Sequence, residues 1–139
     1  MGEVIVEVEL ENFGDRYTFK RGFIKEQEIR SLKCKALVDT GAIMVMLPQD
    51  MVEELGLEST RKVIVTYANE QKEERDIAGG LTLKIGKRAM DTDCIVGPPG
   101  SEPLVGQIVL EELDLIVDCN KKTLSPRPES PYLPLLKLK

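Results

Sequence analysis

Apolar and polar positions alternate along much of this chain, the period-two pattern of half-buried strands. In residues 2–10, "GEVIVEVEL", the positions Val4, Val6, Val8 and Leu10 fall on one face. Residues 11–30 are charged and mixed and predict a turn followed by a loosely patterned strand. Residues 31–39 alternate at first and then become wholly apolar, as a strand entering a core does. Residues 42–48 predict a second buried strand, closed by Pro48. Helical spacing appears in residues 48–57, where Met51, Val52 and Leu55 share a face and Gly56 supplies a C-terminal stop. Two hairpins follow, 61–67 with 72–79 around the turn 68–71, and 81–86 with 88–97 around Gly86-Lys87. The glycine pair Gly79-Gly80, at the base of the first hairpin, reads as a surface turn. After a loop at 98–103, Leu104-Val105-Gly106 predicts a short strand running into a turn. Residues 107–113 predict a short helix, 114–118 a strand, and 120–124 a turn with a return strand. The remainder carries four prolines and is expected to be extended. The pattern predicts one mainly-β domain with one or two short helices over residues 1–124, and a Pro-rich extended tail over 125–139.

Composition narrows the function classes. The 139 residues are 42% hydrophobic and 31% charged, enough for one real core. A net charge of −5 disfavours a general nucleic-acid binder. No apolar run approaches the ~20 residues of a membrane span, so no membrane partner is expected. The three cysteines, Cys34, Cys94 and Cys119, have no metal or redox spacing and sit in apolar strand contexts, which predicts core thiols and a cytoplasmic location. Histidine is absent, which removes Ser-His-Asp and Cys-His catalysis and His-based zinc sites. Any acid–base chemistry must therefore use Asp, Glu, Lys, Cys or Tyr.

One carboxylate stands out against that background. In "KALVDTGAIMVMLPQ" (35–49), Asp39 lies between two apolar runs, where burying its charge would be costly. A given Asp-Thr-Gly arises by chance in about 3% of chains this long, and on its own it reads best as a turn. The surroundings add to it: an apolar strand, Asp39-Thr40-Gly41, Ala42 with an apolar run to Pro48, and later Leu104-Val105-Gly106 leading into a short helix. Together, over roughly residues 31–124, these features resemble the retropepsin-like (retroviral-type, single-lobed) aspartic proteases, closest to their cellular and bacterial branch.

That resemblance implies a closed all-β barrel, a homodimer, and hydrolysis of peptide bonds in a peptide or protein substrate by water activated between Asp39 and its partner-subunit copy, with no cofactor and no metal. Two carboxylates held close share one proton, and the aspartic-protease dyad is the standard case. The motif occurs once, since Asp91-Thr92-Asp93 lacks the glycine, so the second Asp must come from a second chain. By the same resemblance, Thr40 bonds across the dyad, Gly41 and Ala42 leave room for substrate, and Leu104, Val105 and Gly106 pack beneath the loop, with Gly106 a close-approach position. The first hairpin would be the flap, its tip contacting substrate through Ala68, Asn69 and Glu70, with Asn69 suited to a positive φ. The tail 125–139 is available to a dimer interface. Three departures are visible: the tip lacks the usual glycine, Ile43 stands where viral enzymes carry an acid, and Gln107 stands where they carry an arginine. The tip motivates an alternative, a catalytically weak or inactive dimer acting as a peptide-binding or scaffold module.

Overall fold

The computed structural model describes residues 3–138; Met1, Gly2 and Lys139, which fall within the expected strand, domain and tail, lie outside them. Alternation drives the first strand, β1 (Ile5–Asn12), which buries Val8 and Leu10 and turns Ile5, Glu7 and Glu9 outward. It pairs antiparallel with β2 (Ser31–Val38), with Val8 opposite Cys34. β3 (Val45–Pro48) leads into helix α2 (Gln49–Leu55), which buries Val52 and Leu55 and ends at Gly56 with φ +67°, the stop read from the sequence. β4 (Glu58–Thr66) and β5 (Lys72–Ile85) form the first hairpin, and β6 (Arg88–Gly97) returns along β5. β7 (Leu104–Val105) precedes helix α3 (Gln107–Leu113), and β8 (Leu115–Asp118) and β9 (Thr123–Pro126) make a small separate hairpin.

The main sheet runs β1-β2-β7-β3-β6-β5-β4, and β1 also pairs with β5. The sheet therefore closes on itself into a ring, with β4 hanging outside it. Val8, Leu10, Val45, Leu47, Leu81, Leu83 and Cys94 pack in one cluster with Leu55 of α2 and with Val109, Leu110 and Leu113 of α3. The core is aliphatic, in keeping with the scarcity of aromatics. The fold is the mainly-β, retropepsin-like architecture that the sequence predicts.

Four local expectations are corrected. Residues 13–20 form a helix, α1 (Phe13–Lys20), instead of a turn and strand. It buries no residue and so has no apolar stripe to read; Asn12 caps it, its side chain accepting the Asp15 N–H at 2.9 Å. The described residues thus hold three α-helices, against the one or two expected. Gly79-Gly80 is not a surface turn. It lies inside the continuous β5, where three steps from Ala78 to Leu81 oppose two on β6, and Gly80 takes φ +83°. The pair is a bulge that bends the strand from its hairpin with β4 into the ring. Finally, Asp114 does not start a strand; it caps α3 in left-handed backbone at φ +57°. β9 runs to Pro126, two residues into the expected tail, and residues 127–138 carry neither helix nor strand.

Candidate active site

Asp39 follows β2 directly. The strand delivers it to β7, which runs parallel alongside, with Leu37 opposite Leu104 and Val38 opposite Val105. Its backbone N–H donates to the Val105 carbonyl at 2.9 Å, and its own carbonyl accepts the Ala42 N–H at 3.1 Å, closing a tight turn. The Gly41 N–H donates to Asp39 Oδ1 at 2.9 Å, so one carboxylate oxygen is held by the loop itself. The side chain is half-buried, neither sealed in the core nor free in water.

A second clamp acts from below. The first two N–H groups of α3 have no partner within the helix and reach the loop instead: Gln107 N–H donates to the Ala42 carbonyl at 2.8 Å and Ile108 N–H to the Ile43 carbonyl at 3.1 Å. This contact is possible because residue 106 is glycine. A Cβ there would lie 2.7 Å from the carbonyl oxygens of both Ala42 and Met44. Leu104, Val105 and Gly106 thus lie directly against the Asp39 loop and β2.

The carboxylate faces a cavity of about 480 Å³. Gly41, Ala42, Ile43 and Met44 line it from the loop, Met46, Ile95 and Leu104 from the ring, and Val65, Thr66, Tyr67 and Ala68 from the hairpin of β4 and β5. Asp39 is the one carboxylate in that lining. The Tyr67 hydroxyl lies 3.4 Å from both Glu73 Oε2 and Arg75 Nε, which steadies the hairpin near its tip.

Of the expected flap residues, Ala68 lines the cavity, whereas Asn69 and Glu70 lie exposed at the tip outside it. Glu70, not Asn69, takes the positive φ, at +67°. Two bonds explain this: Glu70 N–H to the Tyr67 carbonyl and Tyr67 N–H to the Gln71 carbonyl, both 2.9 Å. They define a type I turn closed by a left-handed residue, a position that falls on Glu70. Asn69 instead accepts the Gln71 N–H at 3.0 Å through its side chain. Thr40 is exposed beside Asp39, and its hydroxyl makes no hydrogen bond among the described residues.

Met44, Met46, Val65, Tyr67 and Ile95 were not singled out from sequence. Val63, Val65 and Tyr67 do share one face of an alternating strand, a readable signal for the cavity wall. Ile95 and Met46 meet only through the parallel pairing of β3 with β6, which no local pattern encodes. The cysteines stay apart from this site, and the expectation of three core thiols is corrected: Cys94 is buried and Cys34 half-buried, but Cys119 is exposed in the turn between β8 and β9. Burial raises the Cys34 thiol, and burial with the neighbouring Asp93 pushes Cys94 up to about 12. At neutral pH neither is a thiolate nucleophile. Among the described residues no group of three metal-ligating side chains comes together, and no helix is long and apolar enough to cross a membrane.

A single-lobed β ring that holds one Asp-Thr-Gly turn over a Leu-Val-Gly strand, with a hairpin along the cavity, defines the class of retropepsin-like aspartic proteases. The chain belongs to that family. Residues 26–112, more than half of it, match the family described as "gag-polyprotein putative aspartyl protease". The match leaves out β1, α1 and everything from Leu113 onward. No curated protein matches the chain.

Proposed function

We propose that the protein is a homodimeric aspartic endopeptidase in which Asp39 from each of two subunits forms the catalytic dyad. The observation that carries this reading is the geometry of Asp39: a carboxylate clamped from two sides at the wall of an otherwise uncharged cavity large enough for peptide side chains. One chain supplies one such carboxylate, so the site is completed by a second copy on a two-fold axis. The pair then holds one proton between them and titrates as a unit. The ionised carboxylate takes a proton from water as the water oxygen bonds to the scissile carbonyl carbon. The protonated carboxyl gives its proton to the carbonyl oxygen. Collapse of the resulting diol breaks the C–N bond: the departing amine takes the proton of one carboxyl while a diol hydroxyl returns its proton to the other carboxylate, so the dyad ends with one shared proton as it began. The exposed Thr40 hydroxyl is free to bond across the axis, which accounts for a polar side chain with no partner of its own among the described residues. Peptide or protein substrate would lie in the cavity under Tyr67 and Ala68, where closure of the hairpin limits water.

The test is digestion of unfolded proteins from acidic to neutral pH by the wild-type chain and by Asp39→Asn. The expected loss on substitution is about a thousandfold or more, equivalent to about 4 kcal/mol of transition-state stabilisation. Equal cleavage by both proteins would remove the protease reading. Glu70 in left-handed backbone at the tip favours a second reading, a dimer that binds peptides without turnover. That reading prevails if neither protein cleaves while labelled peptides bind both.

A further inference from the structure

The aromatic residues of this chain are gathered outside its core. All three phenylalanines and one of the three tyrosines fall in residues 13–23. Yet α1 and the turn after it bury none of them: Phe23 is 73% exposed, Tyr17 53% and Phe13 43%. Aromatic rings grouped in water mark a surface that a partner covers. The segment precedes residues 26–112, so the family match does not account for it.

The way α1 ends holds one ring in place. Gly22 takes φ +82°, its N–H donates to the Phe19 carbonyl at 2.9 Å, and the Phe23 N–H donates to the Thr18 carbonyl at 3.1 Å. In this two-bond helix stop, the residue after the glycine commonly folds an apolar side chain back onto the helix. Phe23 instead stands out in solvent. Cations surround it. Residues 13–30 carry five cations against three carboxylates, in a chain of net charge −5. Those carboxylates are engaged: Asp15 with Arg30, Glu26 with Arg16, and Glu28 with the Lys25 backbone N–H. Lys20, Arg21 and Lys25 are exposed and form no ion pair among the described residues, and Arg21 lies over the Tyr17 ring at 5.7 Å.

We propose that this tip, residues 17–25, docks the protein on an anionic phospholipid bilayer surface, with Phe23 entering the headgroup layer and Lys20, Arg21 and Lys25 facing the lipid phosphates. A surface contact needs no spanning segment, so the expectation of no membrane partner, which rested on the lack of one, does not bear on it. Two features favour lipid over an acidic protein. The tip supplies less than half of the roughly 20–30 residues that a specific protein interface uses on each side. Rings exposed singly at a helix end suit a fluid surface that closes around them, whereas a rigid partner would need a matching socket. The positive tip on a negative chain also sets the orientation, because the same surface repels the rest of the protein. The inference is independent of the reading of Asp39.

The experiment is co-sedimentation of the full chain with vesicles of phosphatidylcholine alone and of phosphatidylcholine with about 30% phosphatidylserine. Each cation near an anionic leaflet contributes about fivefold in partition, so the mixed vesicles are expected to hold the protein at least about tenfold more strongly. Raising salt from about 0.1 to about 0.5 M should remove most of that gain. Phe23→Ser should lower partition about fivefold, and Lys20→Glu combined with Lys25→Glu at least about twentyfold. Lys87→Glu, which changes an exposed cation in the turn between β5 and β6, should alter it less than about twofold. All of these side chains are exposed, so the variants fold, and equal urea midpoints check that. No retention on either vesicle, equal retention on both, or a loss in Lys87→Glu as large as that of the tip variants overturns the inference. So does binding of a glutamate-rich peptide without retention on vesicles, which would give the tip to a protein partner.

Discussion

Replacing Gly106 with alanine puts a methyl group where the backbone leaves room for a hydrogen. The new Cβ would sit 2.7 Å from the carbonyl oxygens of Ala42 and Met44 and 2.8 Å from the Ile43 carbonyl carbon. Ordinary van der Waals contact begins at 3.4 Å, and all three neighbours are backbone, so none can rotate away. The Asp39 loop and the start of α3 must part by roughly 0.7 Å to restore that contact. Parting them stretches the bonds from Gln107 to Ala42 and from Ile108 to Ile43, now 2.8 and 3.1 Å. Losing both costs about 2 kcal/mol, and overpacking adds about 1–3, for a total of about 3–5 kcal/mol. Against a total stability of about 5–15 kcal/mol the variant still folds, with a much reduced margin. The assay is urea denaturation beside Gly100→Ala as control. Gly100 has φ +75° and open space around an added Cβ, so that change carries only the local conformational cost of about 1–2 kcal/mol. Cleavage should fall about a hundredfold in Gly106→Ala under conditions where it is fully folded, because the loop carrying Asp39 has moved. If Gly106→Ala costs no more than Gly100→Ala, the reasoning from close approach is wrong.

Glu70 at φ +67° is strained, and Glu70→Gly should relieve about 1 kcal/mol, slowing hydrogen exchange at the Tyr67 amide by about fivefold; faster exchange would contradict the turn geometry. Asp15 is held below its usual 3.8 by the Arg30 guanidinium, which bonds both carboxylate oxygens at 2.8 and 3.0 Å. A depressed carboxylate contributes stability above its unfolded value and loses it as pH falls through the folded one. The stability gap between wild type and Asp15→Asn, followed by thermal melts, should therefore be full at pH 6 and close progressively below pH 3.8, and a gap that persists unchanged in strong acid would contradict the assignment.

How much of this was legible in the chain depends on whether the deciding interaction is local. The ring strands declared themselves because Val8 and Leu10 are buried at the positions their alternation marks, and Leu47 within the unbroken apolar run that marks a buried strand. Gly106 was marked as a close approach by the family resemblance and not by local pattern, which reads the glycine as a turn; the neighbours that crowd it are the carbonyls of Ala42 and Met44, more than sixty residues away in sequence. The helix α1 was hidden, since its support is the Asn12 cap and the Arg30–Asp15 ion pair, fifteen residues apart in sequence, and not an apolar stripe. The Gly79-Gly80 bulge was hidden for a similar reason. Two glycines read locally as a turn, and it is the pairing of β5 with β4 on one side and β6 on the other that keeps the strand going. Around Asp39 the loop itself was legible, but half of its cavity comes from β3, β6 and the hairpin, joined by pairings between distant residues.

The claim that the two carboxylates come from two subunits is tested most directly by dilution with an inert partner. Wild type is mixed with Asp39→Asn at constant total concentration, allowed to exchange subunits, and assayed for peptide cleavage. Sites built across the two-fold axis require both subunits to be wild type, so an equal mixture retains about a quarter of the activity of undiluted wild type and the titration follows the square of the wild-type fraction. Retention of about half, with activity linear in the wild-type fraction, would mean that each chain acts alone and that Asp39 is not one half of a dyad.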